Sequence, residues 1–238
     1  NVSQINPKVI LCVNVNGSKG KTFKVSFTKL KCIYPSADSY ISEIEKDSNY
    51  GDGTLLAVKQ DVGTTRRSYL KFDLSDIDSN SFIESAKIRI RGSNETADTV
   101  NMSLLGVDDD SWTESGITWN NAPAASGSAL GDIPINNVIK YYELDITDYI
   151  REQYATDNKL ASLLLRKDAV TPDFITLFSR QSSTKPELLI YLEPLSCIYP
   201  SEDSFVSEIE KDANYGDGTL LAVKHDVGTT LWNENDFA

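Results

Sequence analysis

The sequence predicts an all-β protein: a β-sandwich, jelly-roll type, with one short helix. Three observations predict it. Apolar and polar side chains alternate with period two along almost every segment, the pattern of strands that bury one face. Breakers rich in Gly, Pro, Asn and Asp separate these runs. Residues 32–65 return almost unchanged at 197–230, a spacing of one ordinary all-β domain and far longer than the ~20–50-residue units of solenoids and propellers.

Taken in order, Val9–Asn16 and Lys21–Lys29 predict two strands around Asn16-Gly17-Ser18, a hairpin signal. Residues 1–31 are read as the end of a preceding module or as extra edge strands. Leu55–Lys59, Ser68–Leu74 and Lys87–Arg91 follow as strands, and Leu188–Leu192 is a largely apolar strand of the buried type. After Asp145, the residues Ile146, Tyr149, Ile150 and Tyr154 recur at three- and four-residue spacing, which predicts the helix. Breakers are expected at Asn49–Gly53, Arg91–Asn94, Ala124–Gly127 and Thr171–Asp173.

Residues 32–193 are therefore expected to be one complete module, and 194–238 the truncated start of a second copy. After Thr230 the chain continues LWNENDFA where the first copy continues RRSYLKFD. Strands of an incomplete copy are free to pair with residues 1–31 or with another chain. Between the copies the differences are Ala37/Glu202, Tyr40/Phe205, Ile41/Val206, Ser48/Ala213 and Gln60/His225. The Tyr/Phe and Ile/Val exchanges keep apolar positions and suggest core. His225 is the chain's single histidine and is absent from the complete copy, so histidine chemistry is not central to the module.

The formal net charge of −12 argues against nucleic acid and against an anionic membrane surface as partners. No apolar run approaches the ~20 residues of a membrane helix, so no membrane insertion is expected. The three cysteines, Cys12, Cys32 and Cys197, form no CxxC pair, which speaks against zinc. Free thiols are expected, with a Cys12–Cys32 bridge as the alternative.

Across 33–192, in order, stand PSADSYISE, NYGDGTLLAV, SYLKFDLSDI, SAKIRIRG, DDSWTESGITWNNAPA, YYELDITDYI, LLLRKDA and FITLFSRQSSTKPELLIYLE. This series resembles DNRLRE-type domains, a family also classed as family 96 carbohydrate-binding modules. SWTESGITWNNAP and the closing FSRQ…KPELLIYL are its most specific parts. The resemblance implies a secreted or cell-surface β-sandwich of modular extracellular proteins, non-catalytic in itself. Some members are appended to polysaccharide lyases and bind alginate. Others belong to cell-surface proteins that hold cells or matrix together. Two functions follow: a module that binds an acidic polysaccharide, alginate or another uronate polymer, and a structural or adhesive tandem module whose partners are neighbouring modules of the same chain.

The candidate binding residues form a cationic stripe. In Lys87-Ile88-Arg89-Ile90-Arg91 the isoleucines point one way and the cations the other, because side chains alternate along a strand. In Arg67-Ser68-Tyr69-Leu70-Lys71-Phe72 the apolar Leu70 and Phe72 point inward and leave Arg67, Tyr69 and Lys71 on the outer face. If both strands lie in one sheet, that face carries five cations and an aromatic ring. Strands about 4.8 Å apart would match the carboxylate repeat of a uronate chain. Arginine grips a carboxylate with two parallel hydrogen bonds, and a tyrosine ring stacks on a sugar's apolar face. The competing reading is an ordinary solvated face whose cations protect strand edges and pair with carboxylates.

Arg180 and the pair Arg166-Lys167 are secondary candidates, Arg180 being read as pointing to the side of a buried Phe178 or as lying at a strand end, with an internal salt bridge as the competitor. Lys59 stands in both copies and reads as a binding or an edge-protecting residue. Trp112 and Trp119 serve as a sugar platform or, the more ordinary role, as loop anchors. No cofactor is certain. A structural calcium on Asp108-Asp109-Asp110 or Asn49…Asp52 is possible by donor type, but neither has EF-hand spacing. A lyase would need a base and a group neutralising the uronate carboxylate, and a hydrolase could use Asp110 with Glu114. No motif favours either, so the chain is expected not to be an enzyme.

Overall fold

In the computed structural model, which describes residues 29–194, eleven strands and one helix follow one another. They are β1 (Lys29–Ile33), β2 (Ala37–Ser42), β3 (Leu55–Val58), β4 (Arg66–Asp73), β5 (Ser81–Asn94), β6 (Val100–Val107), β7 (Ser126–Ile135), β8 (Lys140–Asp145), α1 (Thr147–Tyr154), β9 (Leu160–Arg166), β10 (Ile175–Phe178) and β11 (Glu187–Pro194). The predicted hairpin within 1–28 and the second copy lie outside the described residues.

The strands build two antiparallel sheets, as the alternation predicts. The first has the order β1-β11-β5-β10-β3, with β8 also on β5. Lys87 of β5 faces Leu189 of β11 on one side and Asp145 of β8 on the other, while Gly92 faces Leu177 of β10 and Lys140 of β8. So β11 and β10 lie end to end along one side of β5, and β8 lies along the other. The second sheet runs β2-β4-β9-β6-β7.

The inner faces bury Leu70 and Phe72 of β4 against Ile88 and Ile90 of β5, with Leu104, Leu163, Leu177 and Ile190 from the other strands. Each fully buried side chain of this kind contributes about 1.5–3 kcal/mol relative to exposure. Helix α1 closes one side with Tyr149 and Ile150 buried, at the predicted spacing. The Asp145 carboxylate opens it by accepting from the Thr147 N–H at 3.0 Å.

Three expectations are corrected. First, β4 and β5 belong to different sheets, so the two halves of the cationic stripe do not share a face. Second, Arg91–Asn94 is no breaker: β5 runs through Gly92, where a Cβ would lie 2.3 Å from the Thr176 carbonyl oxygen. That glycine admits β10 to its neighbour rather than ending the strand. Third, Phe178 is not core. It lies half-buried on the outer side of β10, opposite the exposed Leu55. Cys32 is a free thiol whose pKa burial and the nearby Glu187 push up.

Candidate functional site

The outer face of the second sheet is sealed. Tyr69 is 2% exposed and Lys71 9%, although both point away from the main core. The segment 108–125 lies over them and forms a second apolar cluster in which Tyr69, Leu105, Val107 and Leu164 pack on Trp112 and Ile117, with Trp119 at its margin. The Tyr69 hydroxyl donates to the Pro123 carbonyl at 2.8 Å. Burial pushes its pKa up to about 12. The Lys71 ammonium donates to the carbonyls of Asp110, at 2.6 Å, and Trp112, and sits 4.4 Å from the Trp112 ring centroid. Desolvation lowers its pKa, opposed by Asp110 and Asp109. Arg67 stacks over Trp119 at 5.2 Å. Tyr69 and Lys71 therefore cannot meet a polymer in this arrangement, and Trp112 and Trp119 anchor the loop.

Arg180 belongs to a polar clasp that ties this loop to both sheets. Its guanidinium meets the Glu114 carboxylate at 2.7 Å and donates to the Pro35 carbonyl at 3.1 Å. Its backbone N–H donates to Asp38 Oδ2 at 2.6 Å. Glu114 Oε1 also accepts from the Asp38 N–H at 3.1 Å and from Gln181 Nε2 at 3.0 Å. Burial raises the Glu114 carboxyl, but these bonds outweigh it and its pKa lies below the usual range. Asn49 Nδ2 donates to the Glu114 and Ile117 carbonyls at 2.7 and 2.8 Å. Gly51 passes so close that a Cβ would lie 2.3 Å from the Glu114 carbonyl oxygen. Asp38 is fully buried, and desolvation raises its pKa to about 7. The most distinctive motifs of the sequence thus converge on a structural tie, the competitor reading for Arg180.

Lys59 pairs with Asp61 at 3.2 Å beside a bridge to Arg66, at the sheet margin. Lys167 is buried and paired with Asp173 at 3.7 Å, while Arg166 meets Asp168 at 2.7 Å.

Among the described residues, the outer face of the first sheet is the open one. Lys87, Arg89 and Arg91 stand half-buried along β5, flanked by Tyr141, Glu143 and Asp145 of β8 and by Glu187 of β11. The Arg89 guanidinium lies 4.0 Å from the Tyr141 ring centroid. It is held between Glu143 at 3.4 Å and Glu187 at 3.2 Å. Arg91 lies 5.3 Å from the Phe178 centroid. Lys87, beside Asp145, helps hold that carboxyl below its usual range, after the Thr147 hydrogen bonds that are the main cause. Tyr141 and Phe178 were missed as parts of this face. The alternation of Tyr141, Glu143 and Asp145 was a usable signal; the pairing of Phe178 with Arg91 across strands was not.

For calcium, no group of three or more His, Cys, Asp or Glu side chains converges among the described residues. Asp109 accepts the Ser111 N–H within its own loop, and Asp110 accepts from the Asn158 amide of the segment between α1 and β9, both at 2.9 Å. Among the described residues no helix is long and apolar enough to cross a membrane.

Among the described residues, then, the two-sheet module has one outer face sealed by a loop and one that carries partly exposed cations. The chain belongs to carbohydrate-binding module family 96, whose model matches residues 29–191. The family's role is carbohydrate binding, and the module is not an enzyme. A gellan lyase from a Bacillus species is 29% identical over 203 residues, which cover 82% of this chain and 8% of that protein. The chain thus spans a small part of this relative's length. A solved CBM36 module, in complex with calcium and xylotriose, matches over 65% of this chain and 96% of its own, with 10% identity and a TM-score of 0.20.

Proposed function

We propose that this module binds an acidic polysaccharide of the uronate class, alginate first, on the outer face of β5 and β8. It would act in an extracellular protein and hold an attached enzyme, such as an alginate lyase, on its polymer. One observation carries the reading: of the two outer faces, one is sealed by its own loop, and the other presents Arg89 on Tyr141 between Lys87 and Arg91. The Glu143 side chain is 47% exposed and the Glu187 side chain 18%. A ligand carboxylate would therefore displace Glu143 from Arg89 and keep Glu187 as the support that orients the guanidinium. The aromatic rings under the guanidinium groups hold these long side chains extended, which lowers the entropy lost on binding.

The test is native electrophoresis through gels holding alginate, gellan, pectin or a neutral glucan, at low and high salt and with a chelator. Gellan is included because of the lyase relative. Retardation by an acidic polymer that weakens with salt supports the reading. Retardation lost with the chelator would bring calcium in as a bridge between protein and polymer carboxylates. No retardation by any polymer overturns it.

The repeat favours a second reading, in which 32–193 is one module and 194–238 begins the next, stacked as an adhesive spacer. That reading expects self-association without retardation in any gel.

A further inference from the structure

Arg89 stands in the middle of a row that crosses the first sheet. Its register partners are Glu143 of β8 on one side and Glu187 of β11 on the other. β11 pairs in turn with β1, where Ile33 faces Leu188. One step further along this antiparallel ladder, Tyr34 comes opposite Glu187. Ile33 packs on the core, so Tyr34 and Cys32 lie on the outer side. Cys32, then burial, Glu187 and Tyr141 push the Tyr34 pKa up, which gathers these side chains around one hydroxyl. The row therefore runs Glu143, Arg89, Glu187, Tyr34 over four strands. Tyr34 stands two strands from Arg89, about 10 Å by strand spacing.

Tyr34 has what the centre of the face lacks. It is 52% exposed, the most exposed aromatic side chain among the described residues. Tyr141 is half-buried and carries the Arg89 guanidinium 4.0 Å from its centroid, so its ring serves the cation. A second cation stands at Tyr34: the Lys185 ammonium lies 5.7 Å from that centroid. Lys185 is exposed and forms no ion pair with a described residue. Two ring-and-cation pairs thus flank Glu187, which is 18% exposed and meets Arg89 at 3.2 Å. A ligand carboxylate above Glu187 would be repelled, whereas a sugar hydroxyl would donate to it.

We propose that the binding face continues across β11 to β1, with Tyr34 and Lys185 as a further subsite for the same acidic polymer. This rests on the uronate reading of β5 and β8. The polymer crosses the strands instead of following β5. Arg89 takes one carboxylate and Lys185 another. The apolar face of a sugar lies on Tyr34, and the stretch between presents hydroxyls to Glu187. The ligand class narrows to acidic polysaccharides whose protein-facing carboxylates recur at about 10 Å. Once Arg89 holds one carboxylate, the contact at Lys185 is intramolecular, which raises the affinity of a polymer over that of a single acidic sugar.

The test runs Tyr34→Ala, Lys185→Gln, Phe178→Ala and Arg89→Ala, each in the full chain, through native gels of alginate, gellan and pectin at low and high salt. Melting curves check the fold and are expected to stay unchanged for Tyr34→Ala and Lys185→Gln, since both side chains are exposed. Tyr34→Ala should weaken retardation about three- to ten-fold at either salt. Lys185→Gln should weaken it about two- to five-fold at low salt and less at high salt. Phe178→Ala probes a course along β5, and its loss should be smaller than that of Tyr34→Ala. Parent-like retardation of Tyr34→Ala or of Lys185→Gln, or a larger loss at Phe178→Ala than at Tyr34→Ala, would overturn the subsite. If Arg89→Ala is defective in the same gels, the proposed function stands and the extension alone falls. A parent protein retarded by none of the three polymers overturns both.

Discussion

The outer faces of the two sheets begin from the same kind of text and end differently. On β4, Arg67, Tyr69 and Lys71 alternate with core residues; on β5, Lys87, Arg89 and Arg91 do the same. Yet Lys71 is buried with its ammonium spent on two loop carbonyls, while the Arg89 side chain is 34% exposed beside carboxylates it can release. The difference lies in what a distant segment does. The chain between β6 and β7 folds back over β4 and β9, and nothing comparable among the described residues covers β5 and β8. A cation on the outer side of a strand is a candidate ligand only after its cover is known.

The sharpest way to break the comparison is to uncover the sealed face. Trp112→Ala removes the ring that lies on Tyr69 and Lys71, and should cost about 3–5 kcal/mol, the usual range for a buried tryptophan. Thermal unfolding checks it; a melting temperature close to that of the parent protein would mean that the loop does not hold that face shut.

The next largest effect concerns pH. The Asp38 carboxyl is raised from 3.8 to about 7 by burial, against the opposing hydrogen bond from the Arg180 N–H. The folded pKa exceeds the unfolded one, so the protonated form favours the fold. That stability is fully present below about pH 4 and is lost as pH rises through about 7. The loss amounts to roughly 4 kcal/mol at most, from about three units at 1.36 kcal/mol each. Asp38→Asn keeps an acceptor for Arg180 and removes the titration. Its stability relative to the parent should therefore grow between pH 5 and pH 8 in denaturant melts. Parallel curves would place the ionisation elsewhere.

On the open face, Arg89→Ala should abolish most of the retardation by acidic polymer while changing stability by about 1 kcal/mol or less, since partly exposed pairs contribute little. A variant that binds as well as the parent would remove the stripe from the site. The smallest effect is expected from Glu143→Gln, which releases the Arg89 guanidinium from its more exposed partner and should tighten binding by a few-fold at low salt. Weaker binding would show that Glu143 orients Arg89 rather than competing for it.

The first sheet also shows how much of this was legible. Ile88 and Ile90 inside with Lys87, Arg89 and Arg91 outside followed from period two alone, because alternation is a property of the backbone. The helix at Tyr149 and Ile150 followed from its spacing. Phe178 and Gly92 were misread because each answers to a neighbouring strand. The phenylalanine lies under Arg91, and the glycine lets Thr176 approach. The motif with Glu114 and the one with Arg180 were visible as distinctive text, but their meeting at 2.7 Å depends on packing between segments 66 residues apart.

By itself, then, the sequence determined the sandwich class, the side of each strand that is buried and the identity of the repeated segment, since these are written in local periodicity and in the text. Only the tertiary structure decided that β4 and β5 lie in different sheets, that residues 108–125 seal one outer face, and that β2 and β3 stand at sheet margins. Those outcomes depend on which strand pairs with which, an energy summed over residues far apart in the chain, on which no window of neighbouring residues carries information.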